Sequence, residues 1–139
     1  MNLVIRSTVR ADMREVIELL QEVSGFRPNP EDYEVIWETF SAQPNLKTVV
    51  ALAGNKIVGY GALSLEVKIR GGKMGHIEDI VSHREFRKRG VGSAIIDALL
   101  NLARDEGCYK IALQCKSSNV PFYEKCGYTV SGNSLQQFL

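Results

Sequence analysis

The chain has 139 residues, 45% of them hydrophobic and 24% charged, with a net charge of +1. That length fits one domain, 1–139, with a hydrophobic core of its own, and the ordinary composition argues against disorder or a fibrous repeat. The near-neutral charge supplies no global field for nucleic acid, and no apolar run reaches membrane-spanning length, so neither nucleic acid nor a membrane is expected as a partner.

The three cysteines, Cys108, Cys115 and Cys126, lack metal-ligand spacing, and only His76 and His83 are available beside them, so no metal is expected. Free thiols and the absence of a secretory leader in "MNLVIRSTVRADM" lead to the expectation of a cytoplasmic protein.

In chain order, Leu3 to Arg6 reads as a strand. Asp12 to Val23 reads as a helix, with Met13, Val16, Ile17, Leu19 and Leu20 forming a stripe. "SGFRPNP" is a turn broken by Gly25, Pro28 and Pro30, and Glu31 to Phe40 is a second helix with Tyr33, Ile36, Trp37 and Phe40 on one side. Lys47 to Ile69 then holds two β-rich runs joined at Gly54-Asn55, a hairpin signal. A third run, Gly75 to Val81, follows the turn at Arg70 to Lys73 and completes an antiparallel meander.

Val91, Ala94, Ile95, Ala98, Leu99, Leu102 and Ala103 give the strongest helical stripe of the chain, ended by Gly107. Cys108 to Cys115 reads as a buried strand. The intervening helix makes it parallel to the Gly75–Val81 strand, a βαβ unit. Asn119 to Lys125 is a short helix, and Tyr128 to Val130 and Leu135 to Phe138 read as closing strands. The fold class is therefore α/β or α+β with a mixed sheet.

One segment carries chemistry. In "REFRKRGVGSAIIDALLNLA" the basic residues Arg84, Arg87, Lys88 and Arg89 crowd against Gly90 and Gly92 just before the long helix. Glycines let backbone N–H groups turn toward one point, and a helix start adds partial positive charge. The arrangement suits a diphosphate. It is neither a Walker loop nor a dinucleotide fingerprint, and on spacing alone a solvated basic loop remains the other reading.

Arg-x-x-Gly-x-Gly between a strand and a long helix resembles the acetyl-CoA diphosphate loop of the GNAT superfamily of N-acetyltransferases, and the order of elements is similar over almost the whole chain. "EVKIRGGKMGHIEDIV", "GCYKIALQC" and "NVPFYEKCGY" further resemble the glucosamine 6-phosphate N-acetyltransferases. The resemblance implies a GNAT fold, acetyl-CoA as co-substrate, an amino-sugar phosphate as the acceptor amine, and a homodimer whose closing strands complete the sugar site.

By this resemblance Arg87, Lys88, Arg89, Gly90, Val91, Gly92 and Ser93 hold the CoA diphosphate. Ile80 and Val81 lie along the pantetheine arm, and Asn119 and Phe122 flank the thiol. Tyr123 would protonate the leaving thiolate, since a phenol's pKa of about 10 lies above a thiol's at about 8.5. A core role for Phe122 and Tyr123 is the plainer alternative.

Glu78 and Asp79 are adjacent, so in a regular strand they point to opposite faces. Asp79 is expected to hold the amine. Glu78 is either catalytic or paired with Lys68 or Lys110. Arg27, Lys68, Arg70 and Lys116 are the candidate cations for a substrate phosphate. Gln114 and Lys116 stand where many relatives carry an acidic residue, leaving only a backbone carbonyl near Cys115-Lys116 as a possible amine acceptor. His76 and His83 read as structural or solvated. The same chemistry on another amine, and a non-catalytic acyl-CoA-binding module, remain as alternatives.

Overall fold

The structure, a computed structural model, describes residues 2–139. Strand β1 (Leu3–Ser7) leads through a 3-10 turn at Arg10–Asp12 into α1 (Met13–Leu20). A second 3-10 turn at Pro30–Asp32 precedes α2 (Tyr33–Ser41). Strands β2 (Leu46–Ala53), β3 (Lys56–Val67) and β4 (Lys73–Ser82) form the meander. Helix α3 (Val91–Asp105), strand β5 (Lys110–Leu113) and helix α4 (Val120–Lys125) follow. The five-stranded open sheet runs in sequence order, antiparallel throughout except for the parallel β4–β5 pair.

Each face of the sheet has its own core. Val91, Ile95, Ile96, Leu99 and Ala103 of α3 bury their stripe against Val49, Ala51, Val58, Leu63, Leu65 and Ile77. On the other face Val16 and Leu19 of α1 pack on Val50, Ile57, Tyr60, Ala62 and Val81. A fully buried Val, Leu or Ile contributes about 1.5–3 kcal/mol, so the α3 face carries most of the adhesion. Asp12 is buried and ties α1 to β1. It receives Arg6 Nη1 and Nη2 at 2.7 and 2.9 Å and the Val9 N–H at 2.8 Å.

Several boundaries differ from expectation. Helix α1 stops at Leu20, because Gln21 N–H, Glu22 N–H and Val23 N–H bond three residues back and tighten the chain into turns. Helix α2 starts at Tyr33 after the proline-led turn and buries none of its residues. Strand β5 keeps only Lys110–Leu113 of the expected Cys108 to Cys115. Its pairing with β4 ends at Ile77↔Leu113.

The closing strands do not form. A strand needs a partner edge, and residues 128–139 adopt no regular pairing among the described residues, leaving Val130, Leu135, Phe138 and Leu139 exposed.

The pairing of β3 with β4 explains why β5 parts from β4. Tyr60 faces Val81, but Ala62 faces Glu78. Asp79 and Ile80 therefore both oppose Gly61, an extra residue that forms a β-bulge, and Asp79 takes a left-handed φ of 56°. Gly61 makes the bulge possible. A Cβ there would lie 2.6 Å from Ile95 Cγ2 and 2.7 Å from Ile80 Cδ1. The missing side chain is the space into which the bulged strand and α3 close.

Candidate active site

Beyond the bulge the ends of β4 and β5 frame a cleft of about 1330 Å3, whose other walls are the α3 start and α4. At the α3 end, Lys88 and Gly90 both have left-handed φ, 63° and 83°. For lysine that conformation is uncommon. Gly90 is the N-cap of α3, and a Cβ on it would meet open space. The first bond of the helix runs from Ala94 N–H to the Gly90 carbonyl at 3.0 Å, which leaves the N–H groups of Val91, Gly92 and Ser93 free by helix geometry. Free N–H groups, a helix dipole and flanking cations fit a diphosphate.

Arg87, Lys88, Gly90, Val91, Gly92 and Ser93 line the cleft. Arg89 is not among its walls. Its guanidinium sits 5.4 Å over the Phe86 ring. Ile80, Val81, Asn119 and Phe122 line the cleft as well. A Cβ on Gly92 would be 3.3 Å from Phe122 Cζ, so the glycine lets α4 close over the α3 start.

Tyr123 also lines the cleft, half-buried, edge-on to Phe122 at 5.0 Å and to Tyr128 at 5.9 Å. Burial first, then the neighbouring Cys115 and Cys126 thiols, raises its phenol above the ordinary range. The hydroxyl stays protonated and is a donor.

Glu78 and Asp79 correct the expectation of opposite faces. The bulge breaks the alternation, and both carboxylates are exposed and line the same cleft. Among the described residues neither joins an ion pair. Lys68 pairs with Glu66 at 3.1 Å and Lys110 rests 5.8 Å over the Tyr109 ring, so the expected partners of Glu78 are engaged elsewhere. Asp79 also reaches the neighbourhood of Tyr60, whose buried phenol is pushed up first by burial and then by that charge.

Of the four phosphate candidates only Lys116 lines the cleft. Arg27 pairs with Glu18, Lys68 with Glu66, and Arg70 donates to the Tyr109 hydroxyl at 3.2 Å. Among the described residues no three His, Cys, Asp or Glu side chains gather as a metal site needs, and no helix is long and apolar enough to cross a membrane.

Among the cleft residues outside the expected site, Glu22 and His76 pair with charged side chains. Glu22, just past α1, accepts from Arg84 at 2.7 Å and Arg87 at 3.5 Å, tying the basic loop to α1. His76, expected to be structural or solvated, lines the cleft with Nε2 2.9 Å from Glu66 Oε1. The hairpin register held the signal, since Ser64 faces His76 and Glu66 faces Met74, placing Glu66 and His76 diagonally on one face.

Sheet and cleft together define the class: a mixed α/β domain that opens its parallel strand pair beside an anion-receptive helix start. The model of the acetyltransferase (GNAT) family matches residues 13–128, and the chain belongs to that family.

The glucosamine 6-phosphate N-acetyltransferase 1 of Dictyostelium discoideum is 45% identical over 87 residues, 61% of this chain and 55% of that protein. This chain therefore spans just over half the length of that relative. The Candida albicans glucosamine 6-phosphate N-acetyltransferase is 35% identical over 122 residues, 85% of this chain and 80% of that protein. The crystal structure of the Arabidopsis thaliana glucosamine-6-phosphate N-acetyltransferase superposes with a TM-score of 0.91 at 29% identity, covering 99% of each chain.

Proposed function

We propose that this chain, as one domain over 1–139, transfers an acetyl group from acetyl-CoA to the amine of glucosamine 6-phosphate. The observation that carries the reading is the continuity of one cleft from the free N–H groups of the α3 start to Glu78, Asp79 and Tyr123. The substrate class rests on the relatives that bear that name.

Acetyl-CoA supplies the activated thioester. Val91, Gly92 and Ser93 would hold its diphosphate by backbone N–H groups, with Arg87 and Lys88 adding charge. Ile80 and Val81 would flank the pantetheine arm, and Asn119 and Phe122 the thiol end. Asp79 and Glu78 offer two unpaired carboxylates to the acceptor ammonium and orient its nitrogen toward the thioester, which the nitrogen attacks directly once it has shed a proton. Tyr123, held protonated by burial, would give its proton to the departing thiolate. Lys116 is the cation for the sugar phosphate.

A homodimer belongs to this reading. The exposed apolar side chains of Val130, Leu135, Phe138 and Leu139 offer a second copy a surface, and that copy would supply the phosphate cations that one copy lacks in its cleft. A cytoplasmic setting accords with three free thiols.

The presence of only Lys116 among the candidate cations favours a second reading, the same transfer to an unphosphorylated amine. Thiol release from acetyl-CoA, measured with glucosamine 6-phosphate beside glucosamine and simple amines, separates the two. Release confined to the phosphorylated sugar is the expected result. Release with other amines and silence with the sugar phosphate would overturn the substrate.

A further inference from the structure

Glu78 and Asp79 can attract the acceptor, but attraction leaves it protonated, and an ammonium has no lone pair with which to attack a thioester. The cleft holds a group able to remove that proton. His76 precedes Glu78 by two residues on β4, faces Ser64 on β3 and Ala112 on β5, and lines the cleft with its side chain 38% exposed.

Its Nε2 stands 2.9 Å from Glu66 Oε1. A carboxylate only accepts, so in the neutral ring Nε2 carries the hydrogen and Nδ1 keeps its lone pair. Glu66 is steadied in turn by Lys68 Nζ at 3.1 Å, and bonds to His76 and then Lys68 hold its carboxyl below the usual carboxylate range. An ionised carboxylate thus fixes the ring's tautomer and orientation.

We propose that His76 is the general base of the transfer, taking the ammonium proton of the acceptor through Nδ1, with Glu66 as its positioning residue. This rests on the acetyl-transfer reading above. The proton leaves nitrogen for Nδ1 and passes to solvent. The freed lone pair forms the C–N bond as the C–S bond breaks. The thiolate takes a proton from Tyr123, and the second proton on nitrogen restores the phenol. One proton is released per turnover.

The charged groups around His76 are Glu66 of β3 and, through it, Lys68 just past that strand, then Glu78 and Asp79 on β4 and Lys116 after β5 in the same cleft, and Lys110 of β5, which pairs with Met74.

The test is kcat/KM for the acceptor across the neutral and alkaline range, in the wild type, His76→Gln and Glu66→Gln, with acetyl-CoA saturating. A base that is lost leaves only acceptor that has already shed its proton in water. His76→Gln should therefore lose about 10²-fold at neutral pH, the deficit should shrink with every rise in pH, and acetyl-CoA affinity should hold. Glu66→Gln should lower kcat several-fold without the alkaline recovery of the His76 variants, because the base is still present. His76→Asn repeats the test with a shorter side chain.

A deficit that is the same at every pH in both His76 variants, or no deficit, overturns the base. Wild-type protein that releases no thiol with any amine overturns the acetyl-transfer reading itself and this proposal with it.

Discussion

Gly61→Ala tests the link between the core and the cleft. The added Cβ would stand 2.6 Å from Ile95 Cγ2, 2.7 Å from Ile80 Cδ1 and 3.0 Å from Leu99 Cδ1. Carbon atoms rest at about 3.5–4.0 Å, so Ile95 would have to retreat by about 0.9 Å at the least. Ile95 and Leu99 are fully buried in the α3 face, and Ile80 sits in the bulge. Ile80 Cδ1 is a side-chain end beside the cleft and can swing aside, but Ile95 Cγ2 branches from Cβ inside the packed face and yields chiefly by moving the helix.

Overpacking of this kind costs about 1–3 kcal/mol, and at this chain length each kcal/mol moves the midpoint by about 3 °C. A fall of about 3–9 °C is expected in a thermal scan, with weaker CoA binding by calorimetry, because α3 starts at the anion-receptive turn. Gly25→Ala is the control: a Cβ there meets nothing within 4 Å. It should leave both readings unchanged. A Gly61→Ala protein that melts and binds CoA like the wild type would refute the claim that the bulge and α3 close over this one missing side chain.

Tyr123→Phe should lower kcat by about 10²–10⁴-fold while acetyl-CoA affinity holds, and an undiminished single-turnover rate would remove the phenol as proton donor. Asp79→Asn keeps a residue that tolerates left-handed φ, so the bulge should survive. The loss of one charge-assisted contact should cost about 10–100-fold in kcat/KM for the amine, read by varying the amine at saturating acetyl-CoA. Asp12→Asn should destabilise the fold by about 1–3 kcal/mol, less than a fully buried pair because Arg6 is 39% exposed. Arg6 holds the Asp12 carboxyl below its ordinary range. Its contribution is therefore complete above the unfolded carboxyl's pKa of about 3.9 and is lost as pH falls through the lower folded value. Urea unfolding of both proteins should show the gap closing on the acid side only.

The elements that sequence reasoning located best are those whose signal is local. The α3 stripe from Val91 to Ala103 needs only a period of 3.6, and Gly54-Asn55 needs only a tight turn. Both stand where expected. The parallel β4–β5 pair followed from the helix between the strands. What failed was set by pairing. Leu135 to Phe138 reads as a closing strand, yet a short apolar-ended stretch supplies no partner edge, and the segment stays unpaired.

The cleft shows the same division more sharply. Strict alternation along β4 sends Glu78 and Asp79 to opposite faces. The extra residue opposite Gly61 cancels that rule, and nothing in "GHIEDIV" alone announces it, because a bulge exists only relative to the strand beside it. The meaning of Gly61 lies in Ile95 and Ile80, which are 34 and 19 positions away in the chain. His76 reads as structural or solvated in the sequence, although Glu66 lies across the hairpin once the register is counted from the Arg70–Gly71 turn. One irregularity thus does two things. It ends the β4–β5 pairing to open the cleft, and it brings two adjacent carboxylates to one side. The regular rungs below it hold His76 against Glu66. A strand that obeyed its own period throughout would have kept that last pair and lost the other two features.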